Sequence, residues 1–323
     1  MNVQDMIKSS SKTSNPFAVT EWDSYIGQAK AKKRVQLMIK AAKNRGEQID
    51  HQLILGSSGT GKTTLGRLIA KEHNVPFMSI MMTPSFSTEA LASKLVAFDE
   101  DTIDENGELQ TGGGICLLDE AHLLKAGQQH FLYSVLEDGY IPYNNGAKYF
   151  FQNRVTILAA TTDEQRLSEA LRGRFDNPIR LEEYTAKEMA QIVEGMCHKM
   201  GFEGTIQNYV DIANASAGRP RQAGALVRTA RDLGEIDMPS VLEFAMITPE
   251  GLTIDDVAYL RALHQLGGKA GIKNIASLSM RDQKVVESLE RDLVHRGLVN
   301  VTRGGREMTV QGLRTLDRLP EYM

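Results

Sequence analysis

The most constraining feature of this sequence is a glycine-rich string, G-S-S-G-T-G-K-T, that spans Gly56–Thr63. An apolar run, Gln52–Gly56, precedes the string, and a segment with helical periodicity, Lys62–His73, follows it. In such a strand–loop–helix setting, Gly59 and Gly61 let backbone N–H groups turn inward, and the start of the helix offers its positive end. The string therefore predicts a phosphate-binding loop.

Two side chains of this loop are expected to contribute charge and a metal ligand. Lys62 brings a positive charge to the β- and γ-phosphates of a nucleotide, and the Thr63 hydroxyl can bind magnesium. The predicted ligands are therefore ATP and Mg²⁺.

Apolar runs alternate with amphipathic stretches through the first 184 residues. The apolar runs are Gln52–Gly56, Val75–Met81, Gly114–Glu120, Val155–Thr161 and Pro178–Tyr184. The helical patterns are Ala29–Arg45, Lys62–His73, Thr88–Ala97, Lys125–Leu136 and Glu164–Arg172. Strands that alternate with helices favour a mostly parallel sheet covered on both faces, so the predicted fold class is α/β with three layers.

The strand signal ends at Tyr184, and the pattern becomes helical. Thr185 and Glu188 form the sequence signature of a capping box, and helical periodicity continues to about residue 245. Beyond residue 253, three helical stretches precede two alternating strands around R-G-G-R, which is typical of a winged helix. The predicted domains are a polar leader (1–20), an ATPase domain (21–184), a small helical domain (185–252) and a winged helix (253–323).

A second motif is the string I-C-L-L-D-E-A-H, which spans Ile115–His122. An apolar strand that ends in two acids is a Walker B pattern. Asp119 would bind magnesium directly or through water, and Glu120 would position and polarise the attacking water. His122 either couples the site to a partner or starts a helix as a structural residue.

A third strand, V-T-I-L-A-A-T-T, ends in two hydroxyl side chains. Thr162, or as the less favoured choice Thr161, could contact the γ-phosphate or orient the water. The alternative is that both are ordinary β-branched strand residues.

Three arginines are candidates for the nucleotide site. Arg172 and Arg174 lie in L-R-G-R-F, where an arginine can complete the site of a neighbouring subunit and stabilise charge on the transferred phosphoryl group. Arg221, in G-R-P-R at the start of a helix, could reach the nucleotide within its own subunit. Surface charge and a helix-terminal ion pair are the respective alternatives.

The predicted wing carries two arginines, Arg303 and Arg306, which could contact DNA phosphates or enter a minor groove. The alternative is a solvated turn. The net charge of the chain is −4, which does not itself indicate nucleic-acid binding, although the segment 253–323 has a small excess of basic residues.

The composition limits the compartment and the other kinds of site. Two cysteines, Cys116 and Cys197, lie far apart, which argues against a disulfide framework or a zinc site. No apolar run is long enough to span a bilayer, and residues 1–16 lack a hydrophobic signal core. A cytoplasmic protein with no membrane contact is expected.

Taken in order, these motifs resemble the AAA+ ATPases and, within them, the RuvB family of Holliday-junction branch-migration motors. The resemblance extends from about residue 24 to about residue 319. It rests on Y-I-G-Q, the phosphate loop, D-E-A-H-L-L, A-A-T-T, L-R-G-R-F, G-R-P-R and the winged helix with its Gly-Gly turn. It implies an ATP-driven DNA translocase that forms a homo-hexameric ring on duplex DNA and acts with the junction-binding partner RuvA.

The resemblance also implies roles for individual residues. Those at the nucleotide are Tyr25 and Ile26 near the adenine, Lys62, Thr63 and Thr64 at phosphate and magnesium, Asp119 and Glu120 as the Walker B pair, Thr162 as sensor 1, Tyr184 as a nucleotide contact and Arg221 as sensor 2. Arg174 would be the arginine finger supplied in trans, and Arg306 falls on a DNA-contacting arginine of the family's wing.

Two departures from the family pattern affect its partners. The segment 139–153 is shorter than the apolar hairpin that docks onto RuvA in the family, so binding to RuvA stays open. Val301 stands where the family has a second DNA-contacting arginine. A clamp-loader or helicase-loader switch is the alternative function, although the arginine stands in G-R-F rather than in the S-R-C of clamp loaders. D-E-A-H also marks two-lobed helicases, but a single ATPase core fits this chain.

Overall fold

The computed structural model describes residues 16–103, 108–143, 145–175, 177–320 and 322 of the 323-residue chain. The predicted leader lies mostly outside the described residues, which begin at Pro16. The chain divides into two compact units, Met1–Glu188 and Met189–Met323.

The first unit alternates strands with helices, as the sequence predicts. Its elements are α1 (Ala29–Asn44), β1 (Gln52–Leu55), α2 (Lys62–His73), β2 (Phe77–Met81), α3 (Thr88–Asp99), β3 (Thr102–Ile103), β4 (Leu109–Gln110), β5 (Gly114–Asp119), α4 (Ala126–Glu137), β6 (Tyr140–Pro142), β7 (Lys148–Phe150), β8 (Val155–Thr161), α5 (Glu169–Arg172) and β9 (Ile179–Arg180). The predicted fold class, α/β with a parallel sheet, is confirmed.

Five strands form one parallel sheet in the order β2-β5-β8-β1-β9. Alternate side chains of each strand enter opposite cores, because a strand repeats every two residues. Leu53 and Leu55 pack on the face that α3 and α4 cover, whereas Ile54 packs with α1 and α2 on the other face. Both faces are thus covered, and the carboxyl ends of β1, β5 and β8 meet at one edge of the sheet.

Two elements differ from the sequence prediction. The single helix predicted over Glu164–Arg172 is a 3₁₀ turn, Glu164–Arg166, followed by the short helix α5. The break occurs because the Ser168 hydroxyl accepts the backbone N–H of Leu171 and caps a new helix. The last apolar run is shorter than predicted and pairs with the sheet only at Ile179 and Arg180.

The predicted hairpin around Asn145-Gly146 is present as the antiparallel pair β6–β7. Its base is fixed by the fully buried Asp99 at the end of α3. The Asp99 carboxylate accepts the Tyr149 hydroxyl at 2.9 Å and the backbone N–H groups of Gln152 and Asn153 at 2.7 and 2.8 Å. Each oxygen of this buried carboxylate thus has at least one donor, so Asp99 anchors the end of the segment.

The acid stability of the first unit is expected to depend on His51. Its Nδ1 accepts the backbone N–H of Ile157 at 2.8 Å, so the ring is neutral there. Burial, together with the nearby charge of Arg154, lowers the pKa of His51 from 6.5 to about 4. Between these values the unfolded chain binds more protons, so the free energy of unfolding falls as pH drops through this window.

His51→Asn provides the test, because the Asn Oδ1 can accept the same N–H without titrating. Wild type is expected to lose about 2 kcal/mol more than this variant between pH 7.5 and pH 5. Denaturant unfolding at the two pH values measures the difference. Equal losses in both proteins would contradict the assignment.

The second unit is helical and ends in a winged helix. Its elements are α6 (Ala186–Lys199), whose first turn holds the division between the units, α7 (Ile206–Ala215), α8 (Pro220–Leu233), α9 (Met238–Ala245), α10 (Ile254–Gln265), β10 (Lys269–Ala270), α11 (Ile272–Ser279), α12 (Gln283–His295), β11 (Val299–Thr302), β12 (Gly305–Met308) and α13 (Val310–Leu316). Strands β10, β12 and β11, in that order, form a small sheet next to the three helices α10, α11 and α12. The helices and the hairpin match the sequence prediction.

Thr185 and Glu188 form the predicted capping box, with the Thr185 N–H donating to Glu188 at 2.8 Å. Both cysteines, Cys116 and Cys197, are buried free thiols, and burial raises the pKa of Cys116 to about 12. Among the described residues, no helix has the length and apolarity that crossing a membrane requires.

Candidate active site

The phosphate-loop string lies between β1 and α2, at the sheet edge where β5 and β8 also end. Gly59 and Gly61 have positive φ values of 85° and 95°. A Cβ on Gly61 would lie 2.8 Å from the ring of Tyr25, so both the backbone conformation and the available space require glycine there. The loop is therefore shaped by glycine in the way that the sequence predicts.

Two tyrosines border this loop. The buried Tyr25 hydroxyl donates to the carbonyl of Gly61 at 3.3 Å, and the Tyr184 hydroxyl donates to the carbonyl of Thr60 at 3.0 Å. Burial raises the pKa of Tyr184 to about 12, and that of Tyr25 further, so both remain neutral donors. Two residues that only the resemblance implicated thus lie at the loop.

Lys62 is 6% exposed and folds back over the loop. Its Nζ donates to the carbonyls of Gly56 at 2.8 Å and Ser57 at 2.9 Å. The ammonium group is thus aimed at the loop concavity, where phosphate oxygens would replace these neutral acceptors as the stronger partners. Two other expected ligand contacts, Thr64, two residues after Lys62, and Ile26, next to Tyr25, are half-buried.

The two expected magnesium ligands are brought together. The Thr63 hydroxyl donates to Asp119 Oδ2 at 2.9 Å, and Asp119 Oδ1 accepts the backbone N–H of Glu120 at 3.1 Å. A hydroxyl and a carboxylate in contact are oxygen ligands of the kind that Mg²⁺ takes alongside phosphate oxygens and water. The donor set therefore fits magnesium, and among the described residues no group of three or more His, Cys, Asp or Glu side chains suggests another metal.

Glu120 follows the end of β5 in a left-handed backbone conformation, with φ of 55°. A non-glycine residue in this region costs about 1–2 kcal/mol, and such strain is concentrated at functional sites. The Glu120 carboxylate lies 3.3 Å from His122 Nδ1. His122 Nδ1 lies in turn 3.2 Å from the Thr161 hydroxyl, at the end of β8.

The two threonines at the end of β8 differ in environment. Thr161 is fully buried, and its hydroxyl is engaged by Asp163 as well as by His122. Thr162 is exposed at the same sheet edge as Asp119. This exposure makes Thr162 the one that a phosphate could reach, and Thr161 the one that contacts its neighbours in the protein.

Arg174 lies just after α5 and is tied to α4. Its guanidinium packs on the Tyr133 ring at 3.9 Å, forms an ion pair with Glu137 at 3.1 Å and donates to the carbonyl of Ala170 at 2.6 Å. Arg172, the alternative candidate, and Arg174 each have a buried Nε for which the described structure shows no hydrogen-bond partner.

The remaining candidates belong to the second unit. Arg221 is exposed in the first turn of α8. Arg303 is exposed in the two-residue turn between β11 and β12. Arg306 lies within β12 rather than at the tip of the wing, and its guanidinium is bound to Glu290 at 2.6 and 3.1 Å. That hydrogen bonding to Glu290 raises the pKa of Arg306.

Gln28 ends the string Y-I-G-Q, from which no role for this residue is predicted. Gln28 is buried, with φ of 55°, and its side-chain amide forms two hydrogen bonds with the backbone of Glu182 at 2.7 and 2.9 Å. This pairing fixes the chain just before Tyr184. The sequence signal for this role was a glutamine that directly follows a glycine. That signal could not identify the partner, Glu182, which lies 154 residues away.

Comparison with known proteins agrees with this arrangement of the site and fold. A family model described as the Holliday junction DNA helicase RuvB P-loop domain matches residues 18–181. A second, the RuvB C-terminal winged helix domain, matches residues 249–317. The chain is 30% identical over 320 residues to the Holliday junction branch migration complex subunit RuvB of a Nitratiruptor species, covering 93% of this chain and 91% of that protein.

Solved structures of Thermotoga maritima RuvB are similar over nearly the whole chain. The structure described as the RuvB Holliday junction branch migration motor has a TM-score of 0.76 and 28% identity, covering 95% of this chain and 100% of that chain. A lysine-to-arginine mutant of the same protein has a TM-score of 0.78 and 28% identity, covering 94% and 99%. The match through the winged helix favours this family over the clamp-loader and two-lobed helicase alternatives, and the chain therefore belongs to the RuvB family of AAA+ ATPases.

Proposed function

We propose that this ATPase works as a homo-hexameric ring that translocates on duplex DNA and drives branch migration of Holliday junctions or related branched DNA. The observation that carries the proposal is the contact between Thr63 and Asp119, beside Glu120, in a chain that also ends in a winged helix. The names of its relatives, which describe a branch migration motor and a complex subunit, support the same function.

The geometry of the sheet edge supports the following catalytic roles. Lys62 binds the β- and γ-phosphates, and Glu120 positions and polarises the water that attacks the γ-phosphorus. Thr63 and Asp119 would bind Mg²⁺, which supplies charge neutralisation for the phosphates. Thr162 contacts the γ-phosphate, while Tyr25, Ile26, Thr64, Tyr184 and Arg221 contact the nucleotide.

Self-assembly is proposed because Arg174 stands in L-R-G-R-F, where an arginine can complete the nucleotide site of a neighbouring subunit. Arg174 is bound to Tyr133 and Glu137 on its own subunit and is partly accessible, with 22% of its side chain exposed. In a ring, this guanidinium would face the nucleotide of the next subunit and stabilise the charge that develops during phosphoryl transfer.

The second unit would contact DNA through its wing. Arg303 at the hairpin tip presents a guanidinium to solvent, which suits a phosphate contact. A RuvA-like junction-binding protein is the partner class suggested by the family. The hairpin β6–β7 offers it Phe150 and Tyr143, with 62% and 43% of their surfaces exposed.

Branch migration of a synthetic four-way junction tests the proposal. The purified protein, with ATP and Mg²⁺, is expected to convert the junction into duplex products, and duplex DNA is expected to stimulate its ATPase. ADP in place of ATP is the control. ATP hydrolysis that neither responds to DNA nor dissociates the junction, with and without a RuvA-type partner, would refute the translocase.

The two wing arginines are expected to give different phenotypes. Arg303→Ala should weaken duplex binding by roughly 1 kcal/mol or more and reduce the salt dependence by about one phosphate contact, with melting unchanged. Arg306→Ala leaves the half-buried Glu290 carboxylate without its guanidinium partner and should destabilise the winged helix by roughly 1–3 kcal/mol.

Fluorescence anisotropy across a salt series and thermal melting measure these effects. Arg303→Lys is the matched control, since it keeps the charge and loses only the planar fork. An Arg303→Ala protein that binds duplex with wild-type salt dependence would remove the wing tip from the interface.

A further inference from the structure

His122 lies two residues after Glu120, in the 3₁₀ turn Ala121–Leu123 that follows β5. Its side chain is 13% exposed, so the ring is held largely within the protein. The ring contacts Glu120 and Thr161 through the same atom, Nδ1. It lies 3.3 Å from Glu120 Oε2 and 3.2 Å from Thr161 Oγ1.

The hydrogen-bond partners of Thr161 bear on whether Nδ1 donates or accepts in its contact with the Thr161 hydroxyl. The Thr161 hydroxyl can donate to the Asp163 carbonyl at 3.2 Å and accepts the Asp163 backbone N–H at 2.9 Å. Its remaining lone pair can accept a further bond. The Glu120 carboxylate is an acceptor only. When the Thr161 hydroxyl donates to Asp163, both neighbours of Nδ1 are acceptors, which favours the ring form that carries a proton on Nδ1.

We propose that His122 is a positioning residue for ATP hydrolysis: its Nδ1–H links the Glu120 carboxylate to the Thr161–Asp163 turn. Thr162, the exposed residue of that turn, is the one assigned to the γ-phosphate. A change in this turn therefore reaches Glu120 through the hydrogen bond between Thr161 and His122 and the 3.3 Å contact between His122 Nδ1 and the Glu120 carboxylate. The inference rests on the proposed roles of Glu120 and Thr162.

The local backbone explains why such a link is needed. Glu120 has a left-handed conformation at the end of β5, and 31% of its side chain is exposed. A carboxylate on a partly exposed, flexible side chain loses conformational entropy when it is confined to one orientation. A buried donor that is itself fixed to β8 restricts that freedom before the nucleotide binds, which is the general benefit of preorganisation in catalysis.

Three substitutions at His122 separate this role from simple packing. Asparagine places its Nδ2 the same number of bonds from Cα as His Nδ1, whereas glutamine places its amide nitrogen one bond farther. Alanine removes the donor. The expected result is a fall in kcat of about ten-fold or more for His122→Ala. The affinity for ATP should change less than about two-fold, because Lys62 and Asp119 are untouched.

His122→Asn is expected to recover most of the lost turnover, and His122→Gln little of it. ATPase kinetics, nucleotide binding to each variant and thermal melting are the measurements. Equal activities of the Asn and Gln variants would overturn the proposal. So would a loss of nucleotide affinity or melting temperature in His122→Ala that accounts for the fall in kcat.

Glu120→Gln, measured in parallel, distinguishes failure of this inference from failure of the proposed function. If Glu120→Gln is inactive and His122→Ala is fully active, the link through His122 is wrong while the active site stands. If Glu120→Gln keeps normal turnover, the proposed catalytic role of Glu120 fails, and the role of His122 fails with it.

Discussion

Replacing Arg174 by alanine is expected to abolish ATP turnover while ATP still binds. The proposed ring places this guanidinium at the nucleotide of the neighbouring subunit, where it would stabilise charge on the transferred phosphoryl group. Arginines in this role contribute about 10³–10⁵-fold to turnover. Nucleotide affinity should change little, because Lys62 and the phosphate loop belong to the subunit that binds the nucleotide.

A mixing experiment makes this prediction specific for action in trans. Arg174→Ala and Glu120→Gln are each expected to be inactive alone. In a mixed ring, an Arg174→Ala subunit that is followed by a Glu120→Gln subunit has an intact Glu120 and receives an intact Arg174. Mixing the two inactive proteins should therefore restore part of the turnover. The restored part should be proportional to the fraction of neighbouring subunits that are arranged in this order.

The control is a substitution of a surface arginine away from the sheet edge. Arg45 is exposed, and the ion pair that it forms among the described residues is local, with Glu47 at 2.7 Å, so Arg45→Ala should keep full turnover. Nucleotide binding by Arg174→Ala shows that the first unit is folded. An arginine acting within its own subunit would give no recovery on mixing, and turnover by Arg174→Ala alone at the wild-type rate would remove the residue from the mechanism.

The phosphate loop and the sheet could be predicted because their signals are local. The string Gly56–Thr63 fixes a backbone shape within eight residues, and its strand and helix flank it directly. The alternation of apolar runs with helical stretches likewise predicts parallel strands. A helix between two strands returns the chain to the end of the sheet where the first strand began. Such patterns need no information about which residues meet across the fold.

The features that sequence reasoning missed depend on register and on distant partners. Neither the contact of His122 with Thr161 nor the hydrogen bonds of Gln28 to Glu182 can be read from a motif, because each requires the alignment of separate elements. The wing shows the same limit. Arg303 and Arg306 flank the same Gly-Gly pair, but Glu290 on α12 binds one of them and leaves the other at the tip.

Replacing Glu120 by glutamine is expected to reduce kcat by about 10²-fold or more without loss of ATP binding. Glutamine has the same shape, and its side-chain oxygen can still accept the His122 Nδ1–H, so the 3.3 Å contact can persist. The substitution therefore removes the negative charge that polarises the attacking water and little else. ATP binding and single-turnover hydrolysis are the measurements.

Asp119→Asn is the matched comparison on the adjacent residue. Its side chain can still accept the Thr63 hydroxyl, which donates to Asp119 at 2.9 Å, but it lacks the charge that binds Mg²⁺. Its turnover should recover in part as the magnesium concentration is raised, whereas that of Glu120→Gln should not. Rescue of both variants by magnesium would mean that Glu120 acts on the metal rather than on the water. Rescue of neither variant would mean that Asp119 does not bind magnesium. A different response of the two variants to magnesium would assign the metal to Asp119 and the attacking water to Glu120.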